Sequence, residues 1–184
     1  MSTTSVMSKN QKAHMRSPIH NETELLQTIA SIHASCMNLC KQSVGKYLPV
    51  AGNIGIFCHD DDEYRRLVNI QKNLTDMNTN VYGKYFLLHT PITIPKVDDI
   101  PAATYTYLYI RKPDANKPQA GDVDFFMEPD LYAHLKASLL KGTPTPGMRV
   151  LDRPDLDLIE CYDPSIDALG YIGAKKVPED TSHI

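Results

Sequence analysis

The sequence predicts an α+β protein in which a strand-helix-strands unit occurs twice behind a separate amino-terminal helix. Three observations carry this. A single apolar stripe of helical period runs through residues 22–46. After residue 50 the period changes to that of buried strands. The phrase "apolar strand, acidic helix start, helix with one apolar face" then appears at 53–74 and again at 122–139.

The first helix, 22–46, has Asn21 placed to cap it and Glu22 and Glu24 in its first turn, at the positive end of the helix dipole. Leu25, Ile29, Ile32, Cys36 and Leu39 recur at spacings of four and three and form one stripe. Gly45 and Pro49 end it. A stripe this regular needs a cover. The chain's own sheet is the expected one, and a second copy of the chain, giving a homodimer, is the rival. His33 sits beside the stripe and reads as a helix-flank histidine.

In the first unit, Asn53–His59 reads as a buried strand. Asp60 to Glu63 open a helix whose inner face carries Tyr64, Leu67, Val68, Gln71 and Leu74. The acidic run is explained by capping of free N–H groups. Strands follow at Tyr85–Ile94 and Thr104–Arg111. In the second unit, Asp122–Met127 is a strand, and Glu128-Pro129-Asp130 open a helix with Tyr132, Leu135 and Leu139 inward. Strands follow at Met148–Leu151, Leu156–Tyr162 and Leu169–Gly173. Ala115–Ala120 is the polar joint, and neither half alone holds enough apolar residues to stand comfortably. The expected divisions are a flexible basic tail over 1–20, the helix region 21–48, one domain over 50–174 with units 50–114 and 121–174, and a flexible tail over 175–184.

The chain of 184 residues carries 19 Lys and Arg against 22 Asp and Glu, a net charge of −3. That balance argues against binding to nucleic acid, which needs a concentrated cationic face; the basic tail with Lys9, Lys12 and Arg16 is the local exception. No apolar run approaches the roughly 18 residues of a membrane span. Cys36, Cys40, Cys58 and Cys161 include no CxxC pair and no zinc spacing, which reads as buried reduced thiols in a cytoplasmic protein.

Gly-Asn-Ile-Gly-Ile-Phe-Cys-His-Asp-Asp-Asp-Glu-Tyr at 52–64 resembles the opening strand and helix of glyoxalase-like, vicinal-oxygen-chelate proteins. Asp-Val-Asp-Phe-Phe-Met-Glu-Pro-Asp-Leu-Tyr-Ala-His-Leu-Lys at 122–136 resembles the opening of their second unit. Asp-Leu-Ile-Glu-Cys-Tyr-Asp-Pro at 157–164 is similar to their closing strand. The resemblance implies paired βαββ units forming a cupped, incomplete barrel with outer helices. It implies a small-molecule site inside the cup, and in many members a divalent metal bound by residues of the first and last strands.

Strand alternation adds to this. Val123, Phe125 and Met127 share one face, which turns Asp122 and Asp124 to the other, expected to be the cup. Glu160 alternates with Leu156 and Leu158, where a carboxylate is costly unless paired, protonated or metal-bound. It matches the family's ligand glutamate. The positions matching the family's opening histidine hold Asn53 and Asp122, and the closing strand of the first unit offers tyrosines. The metal candidates are therefore Asp122, Asp124 and Glu160, an oxygen set; Mg, Mn, Fe and Zn are not distinguished, and the absence of any metal is the competing expectation. An ordinary ion cluster of these acids with Arg149, Arg153 or Arg111 fits the same residues. Tyr105, Tyr107 and Tyr109 alternate on one face as a stacking wall for a flat ligand or as cross-strand packing. Arg111 ends that strand as a candidate for a carboxylate or phosphate, and Asn53 joins the ligand-binding set. His59 and His89 are the candidate acid-base residues.

The functional expectation is binding of a small polar or aromatic molecule, with divalent-metal-dependent lyase, isomerase or dioxygenase chemistry as its catalytic version. The alternative is a non-catalytic interaction module that self-associates through helix 22–46.

Overall fold

A computed structural model describes residues 18–79, 84–142, 145–154 and 156–174. The basic tail, apart from its last three residues, and the stretch from 175 onward lie outside the described residues. Among the described residues the chain forms α1 (Glu22–Val44), β1 (Val50–Phe57), α2 (Asp61–Leu74), β2 (Thr75–Thr79), β3 (Phe86–Ile94) and β4 (Ala103–Arg111). Then come β5 (Gly121–Phe126), α3 (Pro129–Leu140), β6 (Met148–Arg153), β7 (Leu156–Cys161) and β8 (Leu169–Gly173).

The helix starts follow the local chemistry. Asn21 Oδ1 accepts from the Glu24 amide at 2.9 Å, while Glu24 accepts from the His20 amide at 2.7 Å. Asp60 accepts from the Glu63 amide at 2.7 Å, and Glu63 answers by accepting from the His59 amide at 2.9 Å. Each is a variant of the capping box in which the glutamate reaches the amide just before the N-cap. α1 closes on Gly45 in the left-handed conformation, φ 77°, with its amide on the Lys41 carbonyl.

The eight strands form one open sheet in the order β2-β3-β4-β1-β5-β8-β7-β6. Each half has the same internal plan: its first strand lies parallel to its last, and the two middle strands run outward from there. The halves join where β1 and β5 pair antiparallel, Ile54 opposite Val123 and Gly55 opposite Asp122. The result is two βαβββ units side by side, with α1 added. The strand not expected from sequence is β2, whose polar Thr-Asp-Met-Asn-Thr segment carries no strand pattern.

Pairing register sorts the side chains into two faces. Ile54, Ile56, Leu108, Val123, Phe125 and Ile172 lie under the helices in the main core. The five stripe residues of α1 are all buried there, against β5, β7 and β8. Each contributes roughly 1.5–3 kcal/mol if fully transferred from water. The stripe is thus covered by the chain's own sheet. Gly121 permits the approach: a Cβ there would stand 2.1 Å from the Gly55 carbonyl oxygen and 2.7 Å from Ile32 Cδ1.

His33 is more than a flanking residue. It is 1% exposed and ties α1 to β4. Its Nε2 lies 3.3 Å from the Pro101 carbonyl, which can only accept, so that nitrogen carries the proton. Nδ1 then accepts from the Tyr105 hydroxyl at 2.8 Å. The four cysteines form no disulfide and are buried. Burial pushes Cys40 up to about 11 and Cys161 up to about 12, which fits unreactive thiols.

Candidate functional site

The sheet face opposite the helices carries Asn53, Gly55 and Phe57 from β1, Tyr107, Tyr109 and Arg111 from β4, and Asp122 and Asp124 from β5. Leu169 and Tyr171 come from β8 and Glu160 from β7. Phe57, Leu169 and Tyr171, flanked by Leu151 and Leu158, pack there as a small apolar cluster separate from the main core.

The two aspartates lie at its centre, on the two strands that join the halves. Asp124 accepts from Asn53 Nδ2 at 2.8 Å and from the Tyr85 hydroxyl at 3.2 Å. The Tyr85 bond reaches from just before β3 across β4 and β1, so this acid is held from both sides of the junction between the halves. Asp122 lies over Gly55: a Cβ on Gly55 would stand 2.0 Å from Asp122 Oδ1. Gly55 is therefore the cradle of that carboxylate. An isolated glycine inside a strand signals close approach of another group, so this contact was open to sequence reasoning and was not drawn from it.

Both aspartates keep a minor part of their surface in solvent, yet the surrounding protein raises both carboxyls. Asp122 is pushed up to about 7 by loss of hydration first, then by the neighbouring Asp124, against the more distant Lys84, Arg111 and Lys117. Asp124 is raised by loss of hydration and held back by its hydrogen bond from Asn53.

Glu160 is on the same face and 1% exposed. Lys117 reaches it at 2.8 Å and Arg149 at 2.5 Å, and Lys117 also donates to the Tyr171 hydroxyl at 3.0 Å. Of the arginines weighed from sequence, Arg149 is the one that holds this acid. Lys117 was missed because it sits in the Ala115–Ala120 joint, 43 residues away in the chain. Among the described residues no three His, Cys, Asp or Glu side chains gather as a metal-ligand group. Asp122 and Asp124 stand together while Glu160 is engaged by two cations, so the oxygen set does not fit a metal and no chemistry is routed through one.

The other candidates are scattered. Tyr109 makes an edge contact with Tyr85, ring centroids 5.9 Å apart, and Tyr107 is level with Asn53 in the register. Tyr105 is fully buried with its hydroxyl on His33. Arg111 pairs with Asp114 at 2.8 Å and lies over the Phe57 ring at 5.1 Å. His59 contacts the Pro118 carbonyl at 3.0 Å and Glu63 at 3.4 Å, beyond the end of β1. His89 pairs with Asp76 at 3.1 Å, half-exposed between the outer strands β3 and β2. The histidines' contacts lie away from the aspartate pair, which is three strands in from β3.

Two clefts, of about 440 and 470 Å³, run instead along the polar flank of α1 beside Asp167. They include none of these residues. Their polar linings are mostly exposed side chains such as Gln27, Ser31, Asn38 and Lys41, which water satisfies. The aspartate pair, with polar atoms buried at a cost, is the stronger candidate.

No family model matches the chain, and no curated protein matches it. Solved structures similar to it include a variant of Streptomyces coelicolor methylmalonyl-CoA epimerase in complex with 2-nitronate-propionyl-CoA, at 18% identity, covering 72% of this chain and 99% of that one, with a TM-score of 0.31. Methylmalonyl-CoA epimerase in complex with methylmalonyl-CoA and NH4+ is similar at 18% identity over the same shares, with a TM-score of 0.31. Likenesses this distant carry no functional conclusion.

Proposed function

We propose that the chain is a small-molecule-binding protein whose ligand seats on the open face at Asn53, Asp122 and Asp124, with Tyr107 and Tyr109 as an aromatic wall and Arg111 at the rim. One observation carries this reading. Two carboxylates stand on one strand face with only Val123 between them in the chain, and Asp122 has no hydrogen-bond donor among the described residues. Such a pair costs folding free energy, and uncompensated costs of this kind concentrate at binding and catalytic sites. The apolar floor of Phe57, Leu169 and Tyr171 supplies contact area beside it.

A catalytic version is favoured by a second observation: a carboxyl near 7 exchanges its proton at neutral pH. Asp122 would then be the acid-base group of an isomerase or lyase, the role expected from sequence of His59 or His89. The test is a thermal-shift screen of small molecules against the wild-type chain and Asp122→Asn. Ligands of this face raise the wild-type midpoint and lose their effect in the variant. Ligands that stabilise both equally would move the site elsewhere, with the clefts beside α1 next in line.

A further inference from the structure

At the centre of the open face the unsatisfied polar atoms are acceptors. Asn53 is 1% exposed, and its Oδ1 has no hydrogen-bond partner. Its Nδ2 donates to Asp124, and this fixes the amide: turned over, it would set its oxygen against a carboxylate oxygen. Asp122 accepts no hydrogen bond from the described residues. The donors at hand, Asn53 Nδ2 and the Tyr85 hydroxyl, both go to Asp124. Asn53 and Gly55 are alternate residues of β1, and Asp124 and Asp122 lie across from them on β5. The four positions thus frame a patch of roughly 7 by 5 Å, which one small head group spans.

Positive charge is close by but engaged elsewhere. Lys117 is on Glu160 and Arg111 is on Asp114. Lys84 lies over aromatic rings, 4.8 Å from the centroid of Tyr85 and 5.7 Å from that of Tyr109. That last contact is informative, because the ring pair beside the aspartates already receives an ammonium group from an exposed side chain.

Resting on the reading of this face as a small-molecule site, we infer that its ligand carries a cationic hydrogen-bond donor. An amidinium, a guanidinium or a primary ammonium would set its N–H groups on Asn53 Oδ1 and the Asp122 carboxylate, with the Tyr85 and Tyr109 rings beside it. A planar cation with two N–H edges serves both acceptors at once. A neutral amide supplies fewer donors and no charge, and an anion meets Asp122 and Asp124 unfavourably.

The test uses the full chain at pH 8 with four probes of one size: benzamidine and benzylamine as cations, benzamide as the neutral isostere, benzoate as the anion. Binding is followed by calorimetry and by the unfolding midpoint. The expected result is that the two cations bind at least tenfold more tightly than benzamide and that benzoate does not bind. In Asp122→Asn, checked as folded by its unfolding transition, the benzamidine advantage falls to less than threefold. Asp122→Ser serves if the first variant does not fold. Equal binding of benzamide and benzamidine, unchanged benzamidine binding in a folded Asp122 variant, or no binding by either cation would each overturn the inference. Binding of benzoate alone would overturn the cationic class while leaving small-molecule recognition by this face intact, and failure of the wider screen would remove that as well.

Discussion

Replacing Asp122 by Asn keeps the side chain's shape and removes its charge. The structure fixes both the sign and the ceiling of the effect. In the unfolded chain the carboxyl titrates near 3.8, and in the fold it titrates near 7. Its folded-state pKa is raised, so between those values the folded protein holds a proton that the unfolded chain has released. Stability contributed by the protonated form is complete below about pH 3.8 and is lost as pH rises through 7. At about 1.4 kcal/mol per unit of pKa, the full cost of Asp122 at pH 8 is bounded near ~4 kcal/mol. Titration shared with Asp124 reduces it, and about 1–3 kcal/mol is the expected gain in Asp122→Asn at pH 8. At pH 3.5 the gain vanishes. Urea denaturation of both proteins at half-unit steps from pH 3.5 to 8.5 measures the difference directly. Parallel pH profiles, or a variant less stable at pH 8 than at pH 4 relative to the wild type, would show that Asp122 is not the strained group described here.

Gly55→Ala sets a Cβ on the Asp122 carboxylate and should cost about 1–3 kcal/mol. Because the clash is with that side chain, the cost should shrink in an Asp122→Ala background, and a double-mutant cycle in urea measures the coupling. Lys117→Met leaves the 1%-exposed Glu160 with Arg149 as its remaining salt-bridge partner; a loss of about 1–3 kcal/mol is expected, largely restored by adding Glu160→Gln. Burial lowers the His33 pKa, so its neutral form stabilises the fold above the unfolded value of 6.5, and that stability is lost as pH falls through the folded value. His33→Gln should cost about 1–3 kcal/mol at pH 7.5, and it should lose less stability than the wild type on going from pH 7.5 to 5.5, as thermal unfolding at the two pH values will show.

What the sequence made legible was whatever local chemistry determines. Alternation in β5 put Asp122 and Asp124 on the face away from the core because a strand has no other way to bury Val123 and Phe125. Asn21 and Asp60 announced their helices because a cap acts within three residues. The hidden parts depend on partners distant in the chain. Glu160 was marked as a buried carboxylate in need of a partner, but Lys117 comes from the joint between the units. Tyr105 shares its strand with Tyr107 and Tyr109, and only the docking of α1 gives its hydroxyl to His33. β2 has neither alternation nor β-branched density beyond its two threonines, and it exists because β3 offers it an edge.

The same two strands that join the halves also hold the acids, and this links stability to recognition. β1 and β5 are central to the sheet and pair with each other through Gly55 opposite Asp122. An apolar residue in place of Asp122 would fill the space and remove a charge at no loss to the backbone pairing. The chain instead keeps a glycine, which leaves room, and a carboxylate, which occupies that room at a cost. Asp122→Asn is thus expected to make the protein more stable and a poorer binder of cations at once. A group that trades in this direction contributes little to holding the sheet together, and on the proposed reading its contribution comes from what it contacts outside the chain. If the variant gained stability and lost no ligand of any kind, the carboxylate would be a burden without a return, and the open face would have no claim to be the site.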